Sequence, residues 1–241
     1  MTFLNILPDP DNPIKTSGVA GTGTTGPGFA SVSLTSEAPI MRSRTNSGRL
    51  ITRGIAGHKW KIKISYNPMT REEFDPVYSF LLQKRGGLIP FYVSLPQYQN
   101  PKQSAFSSFY ANNTIEIDET QGYVAGTAAL LCDGLTYGSG GTAGGHPVPG
   151  DLFTITDTTD SNHTKAYMVV RSEVYNDNSA SVSNNHVRIH INPPLVRAVP
   201  DNTALKFNTP LIKVVLSTDI QEYNLNTNNL YKFSLNLEET Q

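Results

Sequence analysis

The stretch NPMTREEFDPVYSFLLQKRGG, residues 67–87, carries the strongest helical pattern in this chain and decides how the rest is interpreted. Thr70 is followed three residues later by Glu73, which makes a capping box in which each side chain can bond the backbone amide of the other. Apolar residues then recur at helical spacing and form one stripe: Phe74, Val77, Tyr78 and Leu81. A pair of glycines ends the segment. The pattern predicts a helix over about 71–84.

Pro76 is the one residue that conflicts with this helix. If the helix begins at Thr70, the missing amide N–H of Pro76 removes an internal hydrogen bond. If Asp75 is the cap instead, Pro76 occupies the first helical position, where proline is favoured. The sequence leaves both alternatives open, and we expect an irregularity near residue 75.

Strands are predicted on both sides of the helix. KWKIKISY (59–66) alternates between apolar residues and lysines, which is typical of a half-buried strand; its apolar set is Trp60, Ile62, Ile64 and Tyr66. LIPFYVSLP (88–96) has an apolar run that indicates a strand buried on both faces. We expect the apolar stripe of the helix to pack on the sheet that carries Trp60.

The second half of the chain is predicted to consist of short strands. Alternating segments are separated by turn-rich ones: DLFTITDT (151–158), KAYMVVRSEVY (165–175), HVRIHINPP (186–194) and ALKFN (204–208). Strands at this spacing predict a small barrel or sandwich. In the closing segment LYKFSLNLE, the set that should face the core is Tyr231, Phe233, Leu235 and Leu237. Residues 97–112 are expected to form a long loop.

Composition narrows the function classes. The chain has 241 residues, of which 38% are hydrophobic and only 16% are charged, and its net charge is −1. Without a basic run, a surface that binds nucleic acid through phosphates is disfavoured. Cys132 is the single cysteine, so no intrachain disulfide can form. No apolar stretch is long enough for a membrane span. Residues 1–30 are rich in Pro and Gly and are expected to form a flexible arm that orders against a neighbour.

Candidate chemical sites are few, and the residues argue against each of them. GSGGTAGG (138–145) lacks the Lys and Ser/Thr of a phosphate-binding loop. His186 and His190 share the polar face of a strand with Arg188, whose charge disfavours a bound cation. Two aspartates in DTTDSN, Asp157 and Asp160, are too few for a calcium loop. No nucleophile has an evident activating base. We therefore predict no catalytic, metal or cofactor site, and no enzyme.

Four arginines precede the strand at 59–66: Arg42, Arg44, Arg49 and Arg53. They could bind phosphate, or they could lie in a hairpin loop that faces solvent or a partner. The second interpretation is favoured, because the arginines lie in a polar stretch between two predicted strands.

The order of these segments resembles a known family. GHKWKIKISY runs into PMTREEFDPVYSFLLQKRGG and PFYVSLP, and much later come PGDLFTI, YMVVRSEV, HVRIHINPPLVRAVPDNTALKF and a closing strand pair. This arrangement resembles the structural proteins of bacteriophage tails of the tail-tube or baseplate-junction type, the distal tail or tube-initiator proteins. The resemblance covers residues 32–96 and, more loosely, 120–237.

The resemblance implies a mainly β fold: a tail-tube-like β-sandwich with one flanking α-helix (about 71–84) and an inserted small β-barrel. The expected domains are 1–112 with 209–241 for the sandwich, and 113–208 for the barrel. The resemblance also implies a homo-oligomer, a six-fold ring in which neighbouring sheets join. The segment 36–51 would then be a ring-to-ring hairpin, with Arg42, Arg44 and Arg49 inside it and Arg53 just after it. Other tail and baseplate proteins would be partners, and the protein would assemble in the host cytoplasm into the virion tail.

Three alternatives remain at this stage. The first is another virion role, as a head–tail connector or a capsid-decoration protein. The second is a carbohydrate-binding module that uses exposed aromatic side chains, for example Tyr98, Tyr110 and Tyr137. The third is an enzyme, which would need a cleft with strongly perturbed titratable groups.

Overall fold

The computed structural model describes residues 5–13, 25–55, 57–135, 145–174 and 185–240. The chain is mainly β, as predicted, and it forms two compact units. Unit 1 comprises residues 1–93 and 213–240, and unit 2 comprises 94–212. Unit 2 is therefore inserted within the sequence of unit 1. These bounds differ from those of the predicted domains, since residues 94–112 belong to unit 2.

Unit 1 is built on a five-stranded sheet with the order β1-β4-β15-β12-β5. Its strands are β1 (Phe29–Glu37), β4 (Lys59–Tyr66), β5 (Phe91–Ser94), β12 (Leu211–Leu216) and β15 (Ser234–Glu239). Every second residue of β4 is buried, as the alternation in the sequence predicts. β15 shows the same pattern, so Leu235 and Leu237 are in the core. Two short hairpins complete the unit: β2 (Ile40–Arg44) with β3 (Leu50–Gly54), and β13 (Asn224–Leu225) with β14 (Tyr231–Lys232).

Helix α1 (Arg71–Gln83) begins directly after Thr70. The Glu73 carboxylate accepts hydrogen bonds from the backbone N–H of Thr70 at 2.9 Å and from its hydroxyl at 3.0 Å. Pro76 lies inside the helix, which settles the alternative left open by the sequence. Without an amide N–H, Pro76 leaves the carbonyl of the exposed residue Glu72 to solvent.

Residues 5–13, expected to be part of a flexible arm, pack against β5. Leu7 donates to the carbonyl of Tyr92 at 2.8 Å, and Tyr92 donates to the carbonyl of Asn5 at 2.8 Å. Leu7 is fully buried. The expectation is therefore corrected for this segment, because an apolar side chain in the pattern ILPDP finds a place in the core. Residues 1–4 and 14–24 of the expected arm lie outside the described residues.

Unit 2 contains a closed barrel with the order β10-β7-β6-β11-β8-β9. Its strands are β6 (Ile115–Ile117), β7 (Ala129–Asp133), β8 (Leu152–Thr156), β9 (Ala166–Val174), β10 (Val187–Asn192) and β11 (Ala204–Lys206). Their inward side chains form one apolar core, which includes Cys132, Phe153 and Tyr167. The predicted inserted barrel is thus confirmed.

A second helix, α2 (Ser104–Tyr110), lies where the sequence was expected to form a loop, after a single 3-10 turn (Pro96–Tyr98). The segment SAFSSFY is rich in Ser and has no acidic residue in its first turn, so its helical signal is weak. Tertiary contact compensates: Phe106 is fully buried and packs edge-on against Phe207, with ring centroids 5.3 Å apart. Neither described helix is long and apolar enough to cross a membrane.

Candidate interaction surface

The hairpin of β2 and β3 is an exposed element of unit 1. Every residue of both strands is exposed. The strands pair antiparallel, from Ile40 opposite Gly54 to Arg44 opposite Leu50. We refer to residues 40–54 as the hairpin.

The turn of the hairpin is held by its own hydrogen bonds. Thr45 donates from its backbone N–H to the carbonyl of Arg49 at 3.0 Å, and Gly48 donates to the carbonyl of Thr45 at 2.8 Å. The amide of Arg49 donates to the Thr45 hydroxyl at 3.1 Å. Gly48 has φ +82°, a left-handed conformation that glycine adopts without strain. The hairpin therefore has a defined turn.

Both faces of the hairpin carry apolar side chains. Cross-strand partners point to the same side and successive residues alternate, so Ile40 and Leu50 lie on one face while Met41 and Ile51 lie on the other. Their exposed fractions are 46%, 52%, 60% and 53%, in that order. A two-stranded ribbon in water is marginal unless one face packs on something. Apolar residues on both faces give the hairpin two surfaces that are suited to contact with other protein.

The charges of the hairpin are all positive. Between residues 38 and 57 there are four arginines and no acidic residue. Arg42 and Arg44 lie on the face of Ile40, and Arg53 lies on the face of Met41. Within the described part of the chain, none of the four guanidinium groups forms an ion pair. By contrast, the nearby Lys59 pairs with Glu238, and Lys61 pairs with Glu37 at 2.9 Å.

Strand β1, which precedes the hairpin, is an open edge. It lies at the end of the sheet order and pairs with β4, and no other described strand pairs with its outer side. It has nine residues, FASVSLTSE, with Glu37 as its single charge. Long edge strands with few charges and no proline invite pairing with another strand.

The predicted contact residues of the helix lie mostly in the core of unit 1. Phe74, Val77, Leu81 and Trp60 are buried, and Tyr78 is partly buried. Phe74 contacts Phe233, next to β15, with ring centroids 5.6 Å apart. Phe80, which the apolar stripe missed, is also buried and packs edge-on against Phe91 of β5. Its spacing of three from Val77 was the signal that could have identified it.

The histidines and the arginine that were considered as a candidate metal site form hydrogen bonds and ion pairs with nearby carboxylates. His186 bonds to Asp118 at 2.6 Å, and His190 bonds to Glu173 at 2.9 Å. Arg188 also contacts Glu173, at 3.3 Å. The alternation predicted for HVRIHI is the observed one, since Val187, Ile189 and Ile191 are buried.

The two aspartates of the loop DTTDSN also take part in structural interactions. Asp157 accepts from the amide of Thr159 at 2.8 Å, and Asp160 pairs with Arg197 at 2.8 Å. Burial raises the pKa of the Cys132 thiol, which keeps it protonated in the barrel core. Among the described residues, no group of three or more His, Cys, Asp or Glu side chains could hold a metal ion. The glycine-rich segment 138–145 lies outside the described residues except for Gly145.

The two described tyrosines of the carbohydrate alternative are both partly buried. Tyr110 packs against Phe207 and donates its hydroxyl to the carbonyl of Leu205 at 2.6 Å. Tyr98 is partly buried, and Trp60, the single tryptophan, is in the core of unit 1. Tyr137 lies outside the described residues. Neither Tyr98 nor Tyr110 therefore offers the fully exposed ring that the alternative requires.

Comparison with known proteins identifies the class. The matches support a structural protein of bacteriophage tails and thus a component of the virion tail, which favours a tail position over a head–tail connector or a capsid-decoration protein. The family model described as "Distal tail protein pb9, A domain, N-terminal" matches residues 19–98, a range that contains β1, the hairpin, β4, α1 and β5.

One relative is similar along most of the chain. The distal tail protein pb9 of Escherichia phage T5 is 28% identical over 217 residues, which cover 89% of this chain and 93% of that protein. The predicted resemblance to distal tail proteins is thereby confirmed, and it extends through the barrel of unit 2.

Proposed function

We propose that the protein forms a ring in the phage tail, at the end where tube and baseplate meet, by self-association and by stacking on other tail proteins. The observation that carries the proposal is the hairpin, whose two faces expose apolar side chains and whose arginines have no ion-pair partners in the described chain. Such a ribbon is costly to leave in water and is suited to burial between protein surfaces.

The open edge of β1 supports the same proposal. A ring requires two different surfaces on each copy, because neighbours meet head to tail. In the proposed assembly the edge of β1 takes part in contacts within a ring, and the hairpin reaches a neighbouring copy or the next ring. Six copies would be expected from the resemblance, with assembly in the host cytoplasm.

The proposal is tested by the mass of the purified full-length chain in solution and by electron microscopy of the particles. The expected result is a concentration-dependent, closed oligomer with ring-shaped images. A chain that stays monomeric at all concentrations, even when mixed with tail proteins that neighbour it in the virion, would overturn the proposal.

Hairpin variants sharpen this test. Replacing the four exposed apolar residues by serine is expected to abolish assembly and leave the circular dichroism spectrum unchanged: Ile40→Ser, Met41→Ser, Leu50→Ser and Ile51→Ser. The control removes exposed valines of unit 2, Val124→Ser and Val170→Ser, whose exposed fractions are 72% and 51%. The control should assemble like the wild type, and equal assembly of both variants would contradict the role of the hairpin.

A further inference from the structure

We propose that the hairpin of one copy docks on the segment 217–225 of a second copy, with its arginines facing Asp219 and Glu222. The inference rests on the proposed self-association and names the surface that receives the hairpin. We refer to 217–225, the sequence STDIQEYNL between β12 and β14, as the receptor segment.

The receptor segment exposes apolar side chains next to carboxylates. Ile220 is 80% exposed and Leu225 is 52% exposed, which are high values for apolar residues. Asp219 and Glu222 stand on either side of Ile220, and the segment contains no basic residue. Neither carboxylate forms an ion pair with another side chain of the described chain.

The end of α1 extends this apolar area. A side chain at Gly86 would meet the Cα atom of Asp219 at 3.4 Å, so the turn after the helix lies against the receptor segment. Leu82 and Leu88, each within four residues of Gly86, are 53% and 70% exposed. The apolar residues of the receptor segment and of this turn are thus neighbours on unit 1.

The hairpin and the receptor segment complement each other in charge and in polarity. One carries unpaired arginines among exposed aliphatic residues, and the other carries unpaired carboxylates among exposed aliphatic residues. Arg42 and Arg44 lie two residues apart on one face, about 7 Å along the strand. Two carboxylates three residues apart, such as Asp219 and Glu222, lie within about 10 Å of each other. Each guanidinium can therefore reach one carboxylate and form a charge-assisted pair.

The receiving surface belongs to another copy. No hydrogen bond or ion pair joins the hairpin to the receptor segment within one chain, as far as the described residues show. The same chain supplies both halves of the contact, so repeated docking yields an oligomer. Complementary charge also selects the orientation, because a hairpin placed against another hairpin would bring arginines together.

Charge reversal of each surface tests the inference in the full chain. The first variant is Arg42→Glu with Arg44→Glu, and the second is Asp219→Lys with Glu222→Lys. Each alone should weaken self-association by about tenfold or more, as measured by analytical ultracentrifugation, since like charges then face each other. The control, Glu72→Lys with Glu119→Lys, changes the net charge by the same amount as the second variant, at two other exposed sites, and should assemble like the wild type.

Mixing the two reversed variants is the decisive step. In the mixture, each hairpin finds an oppositely charged receptor segment only on the other variant, so assembly should return with alternating composition. A gain is expected from Arg85→Glu, because Arg85 is an exposed basic residue on the turn beside Asp219 and would repel an incoming arginine.

The outcomes separate the inference from the proposed function. If the receptor variant assembles like the wild type while the hairpin variant does not, the hairpin docks elsewhere and the inference is overturned, although ring formation stands. Failure of the mixture to assemble also overturns it. If the wild-type chain never self-associates, the proposed function fails and the inference fails with it.

Discussion

The ring of Phe74 is stacked on the ring of Tyr231, with centroids 4.5 Å apart and planes inclined by 11°. Tyr231 is in turn bonded to Met69, just before the helix, through two backbone hydrogen bonds of 2.8 and 2.9 Å. The start of α1 is thus held by β14, a strand that is separated from it by more than 150 residues of sequence. A helix that is fixed in this way has one face buried in the core and one face exposed to solvent.

The two faces of α1 should respond differently to substitution. Leu81 is fully buried, so Leu81→Asp places an unpaired carboxylate in an apolar core and should cost several kcal/mol, enough to unfold unit 1. Glu72 is exposed, and Glu72→Gln should change the free energy of unfolding by at most about 0.5 kcal/mol. The fluorescence of Trp60, the single tryptophan, reports the unfolding of this unit. Equal behaviour of the two variants would contradict the buried role of the stripe.

Two glycines of unit 2 form a matched pair for a test of backbone packing. Gly134 and Gly150 both have positive φ angles, +85° and +99°. A Cβ atom at Gly134 would lie 2.3 Å from the carbonyl oxygen of Thr114, whereas a Cβ atom at Gly150 meets nothing within 4 Å.

Gly150→Ala should therefore cost about 1–2 kcal/mol, because alanine is strained in the left-handed region. Gly134→Ala should cost a further 1–3 kcal/mol or so, because the backbone must also move away from Thr114. Thermal unfolding followed by circular dichroism measures the difference. A larger loss for Gly150→Ala would show that the close approach at Gly134 is not a constraint.

A third prediction concerns acid and the buried His163. Its side chain is fully buried, with Nε2 2.8 Å from the hydroxyl of Tyr167 and Nδ1 4.0 Å from Asp157. Burial lowers the pKa of His163, against the opposing effect of the Asp157 and Asp160 carboxylates, while the charge of Arg197 lowers it further.

The sign of the pH dependence follows from this direction. As the pH falls through about 6.5, His163 takes up a proton in the unfolded chain before it does so in the folded one. Its contribution to stability is therefore complete above that pH and is lost toward the lower pKa of the folded state. The melting temperature of the wild type should fall more between pH 7.5 and pH 5 than that of His163→Gln. Parallel pH profiles would contradict a neutral, buried imidazole.

Much of the fold followed from periodicity. The alternation of 59–66 and of 230–238 identified the buried faces of β4 and β15, because half-buried strands must place apolar residues on one side. The spacing of Thr70 and Glu73 predicted a capping box, and α1 does begin directly after Thr70, although the sequence also allowed a start at Pro76.

Other elements depend on distant contacts that no local pattern contains. Helix α2 has poor intrinsic propensity and is stabilised by Phe106 against Phe207, about a hundred residues away. Residues 5–13 contain three Pro and four Asp or Asn in a short stretch, which resembles a linker, yet Leu7 is buried beside β5.

The hairpin shows which features of the candidate interaction surface could not be predicted from the sequence. Its four arginines are evident in the sequence. The strand register is needed to place apolar residues on both faces, and the structure is needed to show that the arginines have no ion-pair partner among the described residues.

The pairing of residues 5–7 beside β5 has a consequence for the sheet as a whole. One edge of the sheet is already occupied by the chain's own N-terminal segment, whereas no described strand pairs with the outer side of β1 at the other edge. The two edges of the sheet are therefore not equivalent, and each molecule has a defined direction. In the proposed ring all copies would have the same orientation around the axis, and the upper and lower openings of the ring would be chemically distinct. A protein that connects two different parts of a tail needs two chemically distinct sides.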